Sequence, residues 1–422
     1  MPNPSWKFQR QVKSKMWKRW KLFHATDFQS LMYPCFTFSR ILGIFPYKIN
    51  ASIFEASRSR YILLTIITCV ICVFQLAKIY EINILTARET TVSQKIQDNC
   101  FSTFLSFTVI VSSILSGPQM RLLQTILEVS SKLPRKSYEK LSKLIHVKDI
   151  FGFFFLVGQL LLTFLKFAKR HRDNITYTYS TEIMEYYIDL QIFQINMLYV
   201  NCVCILKACF KRIDDNLTNL RELMINDKSH VPRLIYYQQR NLLLLEELKT
   251  LEKQYLMVSD TVQMLNIIFS PQLLATIAIA FIEITFEIYM HIVQWKNGLS
   301  INLTKQIHNT FFLSYMLYHV TKIMLIVWAC ETGKKQAAKI NTTVHDVLNS
   351  TSDEQIKNEL HLFSLQILHR DNTFSAKGLT VDATFLTAMV GTITTYLLIL
   401  IQFLITSHSC DGKIAINVIH SN

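Results

Sequence analysis

Seven long apolar stretches limit what this chain of 422 residues can fold into. About 20 apolar residues in a helix are enough to cross the roughly 30 Å hydrocarbon core of a bilayer. The chain is 50% hydrophobic and 18% charged, whereas an average soluble domain is about 25% charged. The sequence therefore predicts an all-α membrane protein with seven transmembrane helices. We call the stretches spans one to seven, at 61–80, 99–118, 150–168, 185–209, 264–290, 308–330 and 382–407.

The distribution of Lys and Arg predicts which way the spans point. Connections on the cytosolic side of a membrane carry an excess of these residues. Of the 44 basic residues, 32 fall in four segments on one side, at 1–60, 119–149, 210–263 and 331–381. We therefore expect an intracellular N-terminus and, with an odd number of spans, an extracellular C-terminus. The net charge of +14 follows from this bias, so nucleic acid is not an expected partner, although the four segments are also longer than the other connections.

Helical periodicity continues outside the spans, on the predicted cytosolic side. Apolar residues recur there at spacings of three and four, which is typical of a helix with one buried face. The pattern predicts that spans four, five and six extend out of the bilayer and pack on one another. A core within one subunit and a contact between subunits would both need this pattern. The positions are Leu244, Leu248, Leu251, Tyr255, Val258, Val262, Ala337, Ile340, Val344, Val347, Ile356, Leu360, Phe363 and Ile367.

The sequence lacks the motifs of common catalytic and metal sites. It contains no H-E-x-x-H, no G-x-S-x-G and no paired Cys-x-x-Cys set of the zinc type. We therefore expect no enzyme activity, no metal and no cofactor. Cys100 and Cys410 are both near the predicted outer face, where a disulfide between them is one option. Two Asn-X-Ser/Thr sequons face the same side, at Asn174 and Asn302, and are candidate glycosylation sites.

Ionisable and aromatic residues cluster in the predicted outer half of spans three to six. An ionisable residue inside a span is costly and marks a functional site by default. Polar groups with aromatic neighbours at one depth predict a small-molecule pocket that opens to the outside. A structural alternative is that Lys166 or Lys322 pairs with a carboxylate and holds the bundle together. The candidate ligand-binding residues are Asp189, Glu283, Glu287, Tyr315, Tyr318 and His319.

Span seven carries a narrow polar stripe on an otherwise Leu- and Ile-rich helix. Its residues follow one another at spacings of three and four, so they share one face. Such a stripe suits the wall of a pore in a symmetric assembly, and it also suits a buried contact between helices. The stripe consists of Thr392, Thr395, Ile399, Gln402 and Thr406, with Tyr396 and Phe403 beside it.

The same helix carries the residues that suggest a family. Thr395-Tyr396, five apolar residues and Gln402-Phe403 match the T-Y-x5-Q-F signature in the last span of insect gustatory receptors. The approach to it, Phe374-Ser-Ala-Lys-Gly-Leu, is also similar to that family. The sequence thus resembles the insect gustatory receptors, specifically over about 331–403, and elsewhere in span count, orientation and length.

The resemblance implies one subunit of a tetrameric, ligand-gated, non-selective cation channel in the plasma membrane of a sensory neuron. Implied partners are a small-molecule tastant, membrane lipid, monovalent and divalent cations, and copies of this chain or related subunits. It also implies that Gln402 and Phe403 form a gate, with Thr395 and Tyr396 below them. The expected organisation is a cytosolic segment at 1–60, spans one to six at 61–330 with a cytosolic extension at 210–263, cytosolic anchor helices at 331–381, a pore helix at 382–407 and an extracellular tail at 408–422.

Two other classes of seven- or many-helix protein remain as alternatives. A G-protein-coupled receptor would need an extracellular N-terminus, which the basic residues at 1–60 oppose. The sequence also lacks D-R-Y at the end of span three and N-P-x-x-Y in span seven. A secondary transporter is less favoured still, because no internal repeat or Gly/Pro-broken helix pair is present.

Overall fold

The computed structural model describes residues 22–50, 53–85, 92–170, 175–226, 234–296 and 303–420. Two short antiparallel hairpins, β1–β2 and β3–β4, accompany the helices. The elements in chain order are α1 (Phe28–Ile41), β1 (Tyr47–Asn50), β2 (Ile53–Ala56), α2 (Arg58–Tyr80) with a π-helical turn (Glu81–Leu85), α3 (Val92–Ile114), α4 (Ser116–Ser130), α5 (Arg135–Arg170), α6 (Ile175–Asn226), α7 (Leu234–Lys296), α8 (Leu303–Ser350), α9 (Glu354–His369), β3 (Ser375–Ala376), β4 (Leu379–Thr380) and α10 (Ala383–His420).

The predicted all-α membrane fold is confirmed. Six of the described helices, α2, α5, α6, α7, α8 and α10, are long and apolar enough to cross a membrane, and the bent pair α3–α4 makes a seventh when counted as one span. These helices coincide with the seven stretches read from the sequence.

Span two differs in detail from its prediction. The sequence predicts one span at 99–118, whereas α3 ends at Ile114 and α4 leaves at an angle of 63°. The cause is Pro118, whose ring would collide with the carbonyl of Ile114, four residues earlier, if the helix continued. Pro118 is tolerated in the first turn of α4 because an N–H there has no intrahelical partner.

Three helices extend far beyond a bilayer, as predicted. α6, α7 and α8 contain 52, 63 and 48 residues. At 1.5 Å per residue they are roughly 70–95 Å long, against roughly 30 Å of hydrocarbon.

The apolar positions on these extensions form one core inside the chain. All fourteen positions that the periodicity singled out are buried, and they belong to a single hydrophobic cluster. Burying each Leu, Ile or Phe side chain contributes roughly 1.5–3 kcal/mol. The pattern is therefore explained by packing within one subunit, and the alternative of a subunit contact is not needed for these residues.

A buried carboxylate ties two of the extensions together. Asp214 on α6 accepts hydrogen bonds from the Thr343 hydroxyl (2.6 Å) and the Lys339 ammonium group (2.8 Å) of α8. The hydrogen bond and the negative charge of Asp214 raise the pKa of Lys339 above its ordinary value. Sequence reasoning missed this cluster, because Asp214 is more than 120 residues from Lys339 and Thr343 along the chain.

The segment between α9 and α10 is held against α7. We call 372–381, which contains the β3–β4 hairpin, the hairpin segment. Asn266 of α7 donates to the Thr373 carbonyl (2.8 Å) and accepts from the Ser375 N–H (3.2 Å). Ser270 Oγ accepts from the Lys377 N–H (2.9 Å). The first residues of α10 are therefore tied to α7 through these bonds.

Asp382 fixes the start of α10. Its Oδ1 accepts hydrogen bonds from the backbone N–H groups of Thr384 and Phe385, which is the arrangement of a helix N-cap. Its Oδ2 accepts from Lys334 of α8 at 3.2 Å. The pore helix predicted from the sequence therefore begins at a defined point beside α8.

Candidate functional site: an acidic cavity and the exposed face of α10

One cavity of about 250 Å³ lies at the end of the bundle where α5 ends and α6 begins. Side chains from α2, α3, α5, α6, α7 and α8 line it, and we call it the acidic cavity. Its lining is Lys78, Gln97, Asp98, Phe101, Leu156, Gln159, Thr163, Glu182, Glu185, Tyr186, Asp189, Glu283, Glu287, Tyr315 and Tyr318.

The structure brings together the residues predicted to bind a ligand. Five of the six, Asp189, Glu283, Glu287, Tyr315 and Tyr318, line the acidic cavity. His319, the sixth, is buried behind it, with its ring centroid 4.7 Å from that of Tyr315 and 5.0 Å from that of Tyr318. Their grouping is thus observed, while their role in binding remains a prediction.

Glu283 is the most constrained carboxylate of the cavity. It is only 4% exposed, and its Oε2 accepts hydrogen bonds from Gln97 Nε2 (3.0 Å) and the Tyr315 hydroxyl (3.1 Å). These donors come from α3 and α8, so the carboxylate of α7 is held between two neighbouring helices. Sequence reasoning missed Gln97, because a single amide near the start of a span carries no signal of its own.

Lys322 makes no direct ion pair with a carboxylate among the described residues, although Asp189 and Glu283 attract it electrostatically. Lys322 Nζ lies over the Tyr318 ring, 4.6 Å from its centroid, as in a cation–π contact. Among the described residues, an ion pair in the wall joins Lys78 of α2 to Glu185 of α6. The side chain of Lys166 lies outside the described residues. The bundle is therefore crosslinked by a pair that the sequence analysis did not single out.

Two buried polar groups beside the cavity are unpartnered. Among the described residues, the Tyr318 hydroxyl has no hydrogen-bond partner, and neither has either ring nitrogen of His319. Both side chains are at most 5% exposed. Buried polar groups without partners are costly in a native structure and mark places where a ligand or water is expected.

The polar stripe on α10 is uncovered in the single chain. Phe403 is 71% exposed and Tyr396 is 51% exposed. α10 packs against α7 and α8 through Met389 and Ile393, which are buried. Tyr396 also meets the ring of Phe281 of α7 edge-on, at 5.8 Å between centroids. All seven predicted pore residues are exposed: Thr392, Thr395, Tyr396, Ile399, Gln402, Phe403 and Thr406.

Several predictions fall on residues outside the described part of the chain. These are the sequons at Asn174 and Asn302 and the side chain of Cys410, so glycosylation and a Cys100–Cys410 disulfide stay predictions. In the described ranges, no group of three or more His, Cys, Asp or Glu side chains is arranged to hold a metal ion.

Comparisons of the sequence with known proteins agree on one family. A family model described as "7tm Chemosensory receptor" matches residues 32–407. Gustatory receptor 28b of Drosophila melanogaster is 36% identical over 148 residues, which are 34% of this chain and 31% of that protein. Gustatory receptor 28a of the same species is 31% identical over 168 residues, 39% of this chain and 37% of that protein. The matched segments thus span about a third of the length of these relatives.

The fold has a counterpart among solved structures. The insect olfactory receptor OR5 from Machilis hrabei, in complex with eugenol, superimposes with a TM-score of 0.65. The match covers 89% of this chain and 98% of that one at 12% sequence identity. At this identity the likeness concerns the fold.

Proposed function

Since this chain belongs to the 7tm chemosensory receptor family, we propose that it is a gustatory receptor that works as a ligand-gated, non-selective cation channel. It is a multi-pass membrane receptor, and its family consists of chemosensory receptors rather than enzymes. The resemblance inferred from the sequence is confirmed by the family model and the gustatory relatives. In the proposal, four subunits surround one pore in the plasma membrane of a sensory neuron, and a small-molecule tastant opens it.

The uncovered stripe of α10 is the observation that carries the channel proposal. Thr392, Thr395, Gln402 and Thr406 are exposed in the single chain, although they lie on a membrane-spanning helix. The threonine hydroxyls have partners within the helix, but an amide such as that of Gln402 is costly where it faces lipid without a partner or water. An assembly in which this face surrounds a water-filled pore removes that cost, while α10 keeps its contacts with α7 and α8 through Met389 and Ile393.

The threonines of the stripe can offer hydroxyl oxygens to cations. The hydroxyls of Thr392, Thr395 and Thr406 each donate to the backbone carbonyl four residues earlier, at 2.8–3.0 Å. A hydroxyl has one hydrogen and two acceptor lone pairs. Since the hydrogen is used within the helix, the group presents oxygen lone pairs outward, and these can replace part of a cation's water.

Gln402 and Phe403 supply the two states of the proposed gate. They are adjacent, so they point about 100° apart around the helix. A ring of four Phe403 side chains would block ions, because an apolar constriction loses its water. A modest rotation of α10 would replace this ring with amide groups of Gln402, which can stand in for some of the hydration shell.

α7 supplies a route from the acidic cavity to the gate. It carries Glu283 at the cavity, and Asn266 and Ser270 bond to the hairpin segment that leads into α10. A ligand that moves α7 would therefore act on the start of the pore helix. In the proposed topology, 1–60, 210–263 and 331–381 are cytosolic, 382–407 is the pore helix and 408–422 is extracellular.

The test is cation influx in cells that express this chain alone, measured against a panel of tastants with G-protein signalling blocked. We expect at least one compound to evoke influx that vector-only cells lack, and Phe403→Ala to leak without any ligand. A G-protein-coupled receptor would lose its response under the block. That loss, together with a silent Phe403→Ala variant, would refute the channel.

A further inference from the structure

Carboxylates dominate the lining of the acidic cavity. Among the described side chains, the cations near this wall are Lys78, which is bound to Glu185, and Lys322, which lies behind the Tyr318 ring and is attracted by Asp189 and Glu283. Like charges in a site with little water repel one another strongly. The six acidic side chains of the wall, from three helices, are Asp98, Glu182, Glu185, Asp189, Glu283 and Glu287.

Two of these carboxylates have acceptor oxygens that the described residues leave unused. Asp189 makes no hydrogen bond and no direct ion pair with the described residues, although the charges of Lys322 and Lys78 act on it from a distance. Glu283 accepts both of its hydrogen bonds on Oε2, which leaves Oε1 without a donor from the described residues. The buried Tyr318 hydroxyl of the same wall is also unpartnered there. The described part of the wall thus offers a ligand carboxylate oxygens, negative charge and one hydroxyl that can donate or accept.

Apolar and aromatic surface completes the lining. Phe101 of α3, Leu156 of α5 and Tyr315 of α8 lie in the wall together with the acidic groups. Such surface contacts the organic body of a ligand and places its polar group. A site of this kind fits a molecule with one cationic head and an apolar body.

Other ligand chemistries fit less well. A bound metal ion needs several ligands that converge, and no group of three or more metal-binding side chains converges in the described ranges. A neutral polyol would satisfy acceptor oxygens through its hydroxyls, but it would leave the negative charge uncompensated. An organic anion would be repelled.

We propose that the acidic cavity binds a small organic cation, a protonated amine on an aromatic or aliphatic body. Asp189 and Glu283 take the ammonium group, which donates to the oxygens that are otherwise unused, and the aromatic wall takes the body. The inference rests on the proposed function in that it treats this cavity as the ligand site of the receptor.

Binding to the purified full-length chain tests the inference. The probes are tryptamine and phenethylamine, each paired with the alcohol that replaces its ammonium group by a hydroxyl, tryptophol and 2-phenylethanol, and glucose as the polyol. Isothermal titration in detergent measures each affinity. Because a buried charge pair is lost when one partner is replaced, we expect each amine to bind at least roughly tenfold more tightly than its alcohol.

Matched variants assign the effect to the cavity. Glu283→Gln and Asp189→Asn remove charge and keep shape, and each should weaken amine binding roughly tenfold or more while the alcohols are unaffected. Asp189→Asn removes no hydrogen bond with the described residues but takes a negative charge away from the buried Lys322, so its fold is checked before its affinity is read. Asp346→Asn, an exposed carboxylate paired with Arg221 far from the cavity, is the control and should change nothing. Monodisperse elution at the native volume verifies each fold.

Several results would overturn the inference: no binding of either amine, equal affinities for amine and alcohol, tighter binding of glucose, or amine binding that survives both cavity variants. Titration in detergent requires no conduction. A chain that binds amines but passes no current would support the inference and refute the channel. A chain that passes ligand-evoked current but binds no amine would support the channel and refute the inference.

Discussion

Removal of the Asn266 side chain should loosen the attachment of the hairpin segment to α7. Asn266 donates to the Thr373 carbonyl and accepts from the Ser375 N–H, so Asn266→Ala deletes both bonds at once. Each hydrogen bond contributes about 0.5–1.5 kcal/mol net, so the loss is about 1–3 kcal/mol in the free energy of unfolding. Both bonds are partly buried, so the Thr373 carbonyl and the Ser375 N–H would have little access to water once Asn266 is replaced. This favours the upper part of the range.

Thermal unfolding of the detergent-solubilised chain, followed by fluorescence-detected gel filtration, measures the effect. Gln263→Ala is the matched control, because Gln263 is an exposed amide on the same helix and has no hydrogen bond to the hairpin segment. We expect a clear fall in melting temperature for Asn266→Ala and almost none for Gln263→Ala. Asn266→Asp keeps an acceptor for Ser375 and loses the donor to Thr373, so its melting temperature should lie between the two.

Equal melting temperatures for the two alanine variants would refute the reasoning. That result would mean that α7 does not hold the hairpin segment through Asn266, and the proposed route from the cavity to α10 would lose its physical link.

Three further predictions concern topology and packing. An N-terminal epitope tag should stain only after permeabilisation and a C-terminal tag on intact cells, and an N-terminal tag visible on intact cells would contradict the orientation. Gly333→Ala should lower the melting temperature, because its Cβ would lie 2.7 Å from a ring atom of the hairpin segment and overpacking costs roughly 1–3 kcal/mol; Gly158→Ala, which adds a methyl group to open space, should not. Thr343→Val should cost roughly 1.5–3 kcal/mol by removing the 2.6 Å hydrogen bond to buried Asp214, whereas an unchanged melting temperature, equal to that of the exposed control Thr342→Val, would contradict the packing described.

The transmembrane helices could be predicted because the signal is local. Twenty apolar residues in a row predict a transmembrane helix, and apolar residues at spacings of three and four predict a helix with one buried face. Both kinds of segment are helical in the structure at the predicted positions. The bend between α3 and α4 also has a local cause, Pro118. The bend was not predicted, because Pro118 lies at the end of an apolar stretch, where a proline is compatible with an unbroken span.

The acidic cavity could be predicted in part. Glu283 and Tyr315 stand out because polar residues inside spans are costly. Gln97 and the Lys78–Glu185 pair could not be found this way, because their meaning depends on which helices are neighbours. Sequence spacing placed His319 beside Tyr318, but only the packing shows that it lies behind the wall.

The structure of the hairpin segment could not be predicted from the sequence. Its residues were noticed through a family resemblance, and their structure was not predicted. Lys377 and Gly378 both adopt positive φ, +47° and +84°, in a two-residue turn of the kind that joins tight hairpins. Glycine takes this conformation without strain, but Lys377 gives no such indication in the sequence.

The central claim is that the exposed face of α10 lines an ion pore, and single-channel conductance of Gln402→Ala tests it most directly. Ile393→Ala is the comparison, because Ile393 is buried on the packed side of the same helix. We predict that Gln402→Ala changes the unitary conductance or the cation preference, and that Ile393→Ala changes only the number of working channels. Channels of native conductance and selectivity in Gln402→Ala would contradict the pore and make Gln402 a packing residue between helices.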